Sequence, residues 1–261
     1  SAHLNWEQTQ AAIQDQIQGN VLKVTQGFIA SDENNFTTTL GREGSDYSAA
    51  IFAYCIGATD VTIWKDVQGI LNADPRVFDK TQLLEHISYQ EAIELAFYGA
   101  SVIHPKTLQP LQRKEIPLYV KSFLNPKQRG TKVAKGVRMH PEIPCYIVKK
   151  GLSLLRLSTR DFSFVVEDNI SDIFKLLHEH KMSVDVIQNS AISFSVCVQD
   201  KYRNMDALLL SLRSRFDVKH TPDVSLYTIR HFEENSAKML LSTHELLLEQ
   251  RTATTLQLVL Q

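Results

Sequence analysis

The 261-residue chain is short of several things, and each absence excludes a class of protein. Cysteine occurs three times, at Cys55, Cys145 and Cys197. So odd and widely spaced a set makes neither a disulfide framework nor a zinc pattern, and the expected compartment is the reducing cytoplasm. Positive charge is not in excess: 28 Lys and Arg stand against 29 Asp and Glu. Without a basic run there is no electrostatic footprint for a nucleic acid. No apolar stretch approaches the roughly 20 residues that cross a bilayer, and residues 1–20 are polar and glutamine-rich, unlike a signal peptide. The phosphate patterns GxxxxGK(S/T) and GxGxxG and the metal pattern HExxH do not occur. An initiator methionine is also lacking, so the chain is expected to be a cut piece of a longer protein.

What is present is ordinary for a globular protein: 43% hydrophobic and 22% charged residues, enough for one large core or two smaller ones. Residues 3–18 have partly helical apolar spacing that stops at Gly19-Asn20. "VLKVTQGFIAS" reads as a strand followed by a turn. "SDYSAAIFAYCIGA" is a helix that Ser45 can cap and Gly57 ends. "VTIW" is a buried-type strand, and "SYQEAIELAFYGA" a helix with a Ser88–Glu91 capping box and a Gly99 stop. Pro105 opens a helix to about Lys114, and "IPLYVKSF" returns as a strand. Strands alternating with helices indicate an α/β sheet up to about residue 125, and the turn-rich "NPKQRGTKVAKG" reads as a connection. Then the rhythm changes. "LSLLRLS", an amphipathic helix from Asn169, the hairpin "SVDVIQNS"/"ISFSVCV", a helix "NMDALLLSLRSRF" and the strand "DVKHT" follow in the order βαββαβ, an α+β ferredoxin-like unit. Three further strands, "SLYTIRHF", "HELLLEQRT" and "TTLQLVLQ", close the chain.

Several segments could carry chemistry. In "GREGSD", Gly41 and Gly44 permit close backbone approach, a helix N-terminus offers free N–H groups to an anion, and Arg42 adds a planar fork for a carboxylate. On those six residues alone, an ordinary capped turn with a solvated arginine is the preferred reading. "WKDVQGILNADPR" follows a strand end, where open α/β sheets place ligands, and Arg76 could reach a phosphate. His104, just before Pro105, reads as a helix cap rather than a general base. His178 and His180, two positions apart, face different sides of their helix and read as surface residues. Asp185, between Val184 and Val186, is either solvated or positioned for an effector's ammonium group.

Taken together, "GREGSDYSAA", "VTIWKDVQGILNADPR", "FYGASVIHPKTL" and "IPLYVKSFLNPKQRGT" stand in an order and spacing that resembles the aspartate kinases over roughly residues 21–133. The βαββαβ unit is similar to their ACT regulatory domains. The resemblance implies an α/β fold built as a partial amino-acid-kinase αβα sandwich followed by the ferredoxin-like ACT region. Its divisions would be 1–134 for the distal half of the kinase domain, 135–146 for a linker, 147–222 for a first ACT domain and 223–261 for a shortened second one. It implies phosphoryl transfer from ATP, with Mg2+, to the side-chain carboxylate of L-aspartate at the head of lysine, threonine and methionine biosynthesis. Arg42, Gly44, Ser45 and Asp46 match the substrate-binding motif. Lys65, Asp66, Leu71, Arg76, Ser101 and Val102 match nucleotide-contact positions, with serine at 101 where the family commonly has lysine. Asp161, Phe162, Ser183, Asp185, Ala191 and Ile192 match effector positions, with lysine or threonine as the effector. No protein metal ligand and no certain catalytic residue is assigned. The Lys-Phe-Gly-Gly-Thr segment that opens these kinases is absent from the 261 residues, so the chain alone is expected to be inactive, and a homodimer through ACT strands is expected. The alternative is a non-catalytic regulatory subunit or amino-acid-binding module. An α/β kinase acting on another carboxylate or on a carbamate ranks third.

Overall fold

The structure is a computed structural model and describes residues 4–19, 21–100, 102–161 and 163–261. The chain divides into two compact units, residues 1–147 and 148–261.

In the first unit, helix α1 (Trp6–Gln16) starts at Asn5, whose side chain accepts from Gln8 N, and ends before Ile17. The strand expected from residue 21 does not form there. Val21, Leu22 and Val24 are 66%, 93% and 90% exposed. Pairing begins instead at β1 (Ile29–Ser31), joined to β2 (Thr37–Thr39) as an antiparallel hairpin. Asp32 Oδ1 accepts from Asn34 N and Phe36 N, each at 2.9 Å, so the turn chemistry chooses which residues pair. Helix α2 (Gly44–Ile56) is stopped by Gly57 in the left-handed region. Its N-cap is Glu43 (φ 55°), not Ser45, and makes no side-chain cap bond; Ser48, within the helix, accepts from Phe28 N instead.

Strand β3 (Val61–Lys65), strand β4 (His86–Ser88), helix α3 (Tyr89–Tyr98), helix α4 (Pro105–Arg113), β5 (Leu118–Ser122) and β6 (Thr131–Ala134) complete this unit. The four-stranded sheet runs β3-β5-β6-β4, with β3–β5 and β4–β6 parallel and β5–β6 antiparallel. Ser88 caps α3 through Glu91 N, and His104 caps α4 by accepting from Lys106 N at 3.1 Å, the structural role expected of it. The core is made by Ala50 and Ala53 of α2, Leu95 of α3, Leu108 and Leu111 of α4, and Ile63, Leu118, Val120 and Val133 of the sheet. The segment "NPKQRGTKVAKG" therefore contains an inner strand as well as a turn: Thr131 and Val133 are fully buried. Residues 135–146, expected as a linker, fold back on this unit. His140 O accepts from Glu85 N, and Tyr146 N donates to Asn72 O, both at 2.7 Å.

In the second unit, β7 (Cys145–Ser158), α5 (Glu167–Glu179), β8 (Ser183–Asn189), β9 (Ser193–Gln199), α6 (Met205–Arg213), β10 (Asp217–Arg230), α7 (Lys238–Thr243), β11 (Leu246–Arg251) and β12 (Thr255–Leu260) build one six-stranded sheet. Its order is β11-β12-β10-β7-β9-β8, so the last four positions are the ferredoxin-like arrangement. Asn169, expected to cap α5, lies inside the helix and accepts from Val166 N at 3.0 Å. Two strands expected from the sequence, "DVKHT" and "SLYTIRHF", are one: β10 passes unbroken through residues 222 and 223. Pro222 lacks an N–H and Asp223 has φ 54°, so the strand bends at the place that reads as a break.

Helices α5 and α6 cover one face, where Phe194, Val196 and Val198 of β9 meet Ile173, Leu177, Leu208 and Leu212. The other face of β9 is buried too. Cys197 packs there with Leu152, Leu154, Val186, Val224, Leu226, Leu248 and Val259. The sheet curls over this second cluster. Gln188 Nε2 of β8 donates to Glu249 O of β11 at 3.2 Å, and Arg156 of β7 donates to Leu247 O.

Candidate functional site

Strands β3 and β5 run parallel and end together. Lys65 is opposite Ser122, and Phe123 N donates to Lys65 O at 2.9 Å. Loops leaving the carboxyl ends of parallel strands are where α/β sheets bind ligands. Val61 and Ile63 point into the helical core, and two-residue periodicity turns Lys65 to the same side, towards α2. There its Nζ lies 2.9 Å from Asp46 Oδ2. The approach is an ion pair off the hydrogen-bond angle, for Oδ2 is buried without a hydrogen-bond partner among the described residues. Both side chains are partly buried, at 23% and 17% exposure. This contact joins the "GREGSD" stretch to the start of "WKDVQGILNADPR".

The start of α2 is shaped by close approach. A Cβ on Gly44 would meet the Phe28 ring at 2.6 Å and the Leu40 side chain at 3.2 Å, so only glycine lets this backbone lie against Phe28. Ser48 Oγ donates to Gly44 O and accepts from Phe28 N, both at 2.9 Å. Arg42 and Ser45 are exposed beside this helix end. Gly44 N donates to Gly41 O at 3.0 Å, and the positive end of the helix beside Arg42 and Ser45 is a setting that favours an anion.

The loop after β3 is clamped from inside. Ile70 N donates to the fully buried Thr131 Oγ1 at 2.8 Å. Asn72 is tied twice more, its Oδ1 accepting from Gln82 N at 2.7 Å and its Nδ2 donating to Pro144 O at 3.0 Å. Sequence reasoning missed Glu43, Ser48, Asn72 and Thr131. Only their polar character inside otherwise apolar or turn-forming segments could have singled them out. Asp66 is exposed, and Leu71 is half-buried in a bridge to Leu83. Val102 lines a small apolar hollow with Ile70 and Leu95. Ser101 lies outside the described residues. Arg76 is drawn into a local pair, its Nε 3.0 Å from Asp74 Oδ1 and its terminal nitrogen 2.8 Å from Oδ2. Hydrogen bonding from Arg76 holds the Asp74 carboxyl below its ordinary range.

In the second unit the six effector positions fall into two groups. Asp161 forms a turn with Ser163, whose N and Oγ donate to its Oδ1. Val165 N donates to Ala191 O at 2.9 Å, so this loop sits against the exposed hairpin turn of Ala191 and Ile192. Phe162 lies outside the described residues. Ser183 and Asp185 stand at the opposite end of β8, roughly 20 Å away at about 3.3 Å per residue. Asp185 is the extra residue of a β-bulge: Val184 faces Val198, while Val186 faces Cys197. The sequence placed it on a regular strand face; the bulge instead turns it inward, where its side chain is only 9% exposed and Lys149 Nζ lies 2.5 Å from Oδ1.

The model of the amino acid kinase family matches residues 1–122. Lysine-sensitive aspartokinase 3 of Escherichia coli is 38% identical over 175 residues, covering 67% of this chain and 39% of that protein. Aspartokinase 1 of Arabidopsis thaliana, chloroplastic, is 35% identical over 176 residues, covering 66% of this chain and 31% of that protein. The chain belongs to the aspartate kinase family. It spans well under half the length of these curated relatives. Among solved structures, E. coli aspartokinase III in complex with lysine and aspartate matches with a TM-score of 0.72 at 30% identity, over 90% of this chain and 55% of that one. Clostridium acetobutylicum aspartate kinase matches with a TM-score of 0.78 at 19% identity, over 90% of this chain and 58% of that one, a likeness of fold. The aspartate kinase fold thus accounts for both units, the α/β one and the ferredoxin-like one. Among the described residues no helix is long and apolar enough to cross a membrane.

Proposed function

We propose that this chain supplies part of the substrate and nucleotide site of an enzyme that transfers the γ-phosphoryl group of ATP to the side-chain carboxylate of L-aspartate, together with a region that binds an end-product amino acid. The Lys65–Asp46 contact carries the proposal, because it sets the end of β3 beside the start of α2. Phosphoryl transfer needs positioning and charge neutralisation more than covalent help from the protein. In this proposal Arg42 and the amide at Ser45 hold the carboxylate of aspartate, while Gly44, whose own N–H donates to Gly41 O, lets the backbone pass close by. Asp46 keeps the Lys65 ammonium directed at the phosphate side, while Asp66, Leu71, Arg76, Ser101 and Val102 border the nucleotide. To reach a phosphate, Arg76 exchanges Asp74 for it. No group of three or more His, Cys, Asp or Glu side chains among the described residues could hold a metal ion. In this proposal Mg2+ is carried on the phosphate oxygens of ATP, the ligands this ion usually keeps in such sites.

Two features of related proteins support this. A solved structure of E. coli aspartokinase III, 29% identical with a TM-score of 0.72, is a complex with aspartate and ADP. Another is a complex with lysine and aspartate. The Lys-Phe-Gly-Gly-Thr segment is not among the 261 residues, so turnover is proposed to need groups from outside this stretch.

The proposal is tested by calorimetric titration of the chain with MgADP and with L-aspartate. Binding of MgADP should weaken at least about tenfold in Lys65→Ala, and binding of aspartate should weaken similarly in Arg42→Ala. Heat from neither ligand with the unaltered chain would sink it.

A further inference from the structure

A cavity of about 390 Å³ opens in the second unit where β10, β7 and β9 lie side by side. Arg156 and Ser158 of β7, Ser193 of β9, and Asp217 and Lys219 of β10 line it. It uses none of the six effector positions, and it lies in a different unit from Lys65 and Asp46. Two-residue alternation puts Arg156 and Ser158 on the same face of β7 as Leu152 and Leu154, which belong to the cluster beneath the curl of the sheet. The cavity therefore begins where that apolar cluster stops, on the face away from α5 and α6.

Arg156 is partly buried, and one of its N–H groups donates to Leu247 O. That bond ties β11 across the curl, but it needs only a donor, not a charge. Among the described residues the guanidinium has no carboxylate partner, and neither has the ammonium of Lys219. A charge drawn part-way out of water without a counter-ion is costly. The walls carry two positive charges and one negative, so an anion balances them where a neutral molecule does not. The remaining N–H groups of the guanidinium form a planar fork that matches the paired oxygens of a carboxylate or a phosphate. The volume falls in the range of small-molecule sites, roughly 300–1,000 Å³. We propose that this cavity binds a small organic anion, its carboxylate or phosphate group held against Arg156 and Lys219, with the hydroxyls of Ser158 and Ser193 as further partners. Asp217 bounds the same space and opposes the ligand's charge, so it holds the affinity down. This site is independent of the aspartate and nucleotide site proposed above.

The test is a titration of the nitrogen-15-labelled whole chain, followed by its amide resonances, with inorganic phosphate and separately with succinate at constant ionic strength. The amides of Leu157, Ser158, Ser193 and Val218 should shift saturably with at least one probe, and the probe that does so identifies the anionic group recognised. Arg156→Gln, which keeps an N–H for Leu247 O, should weaken that binding at least about tenfold. Lys219→Gln, at an exposed position, should weaken it about threefold, and Asp217→Asn should strengthen it. These last two positions lie at the surface, so they decide the matter even where circular dichroism shows Arg156→Gln to be misfolded. No saturable shift at these amides with either probe, shifts confined to the start of α2, or an affinity unchanged in all the variants overturns the proposal.

Discussion

At the scale of single residues, the start of α2 illustrates how a local motif is completed by a side chain that the motif does not name. Ser45 has the composition of a cap, yet the cap position falls on Glu43, in the left-handed region, and Ser45 is exposed. Ser48, 7% exposed, closes the arrangement by bonding both Phe28 N and Gly44 O. Ser48→Ala removes the partner of a part-buried N–H while leaving the helix sequence favourable. It should cost about 1–2 kcal/mol, the usual penalty for an orphaned buried donor, read as a lower urea midpoint at unchanged m-value. An unchanged midpoint would mean that solvent satisfies Phe28 N equally well. Lys65 shows the same thing for the candidate site: its place at a strand end is legible, but its partner Asp46 is set by how α2 packs on β3.

Among the elements, β8 combines two properties. It is one edge of the six-stranded sheet, and it separates Ser183 and Asp185 from Ala191 and Ile192 by most of its length. An edge strand presents unpaired N–H and C=O groups to any second strand. Antiparallel pairing of β8 with its copy would bring the Asp185 end of one chain to the Ala191 end of the other, assembling positions that a single chain holds apart. The expected mass by light scattering at micromolar concentration is therefore twice the 29.6 kDa of the chain. Ile187→Lys, at a 38%-exposed position on that strand, should return the mass towards one chain. A monomer for the unaltered chain would count against the pairing. The hairpin itself was readable from alternation, whereas the bulge was not. A bulge arises from how two strands register, and "SVDVIQN" alone is compatible with unbroken pairing.

For the whole molecule, pH should matter through His220. Its ring lies 3.1 Å from Ser153 Oγ, and burial, followed by the charge of Arg213, lowers its pKa, with Asp206 opposing. The unfolded chain then binds more protons than the folded one as pH falls below the ordinary histidine value, so stability is full above that value and declines beneath it. Differential scanning calorimetry at pH 7.5 and pH 5 should show a smaller fall in Tm for His220→Gln than for the unaltered chain. Equal falls would show that other groups carry the acid sensitivity.

Much of this protein was determined by its sequence alone. The Ser88 and His104 caps, the Gly57 stop, the amphipathic face of α5 and the order βαββαβ all depend on residues within a few positions of each other, where backbone hydrogen bonding is decided. The family motifs were legible for the same reason, being short runs of fixed spacing. Only the tertiary structure decided which distant groups meet: Lys65 with Asp46, Ile70 N with Thr131, and Lys149 with Asp185. It also decided that β10 would be one bent strand, and that both faces of β9 would be buried. Such pairings follow from sheet register and from the curl that closes a core, quantities to which every strand contributes and which no single segment encodes.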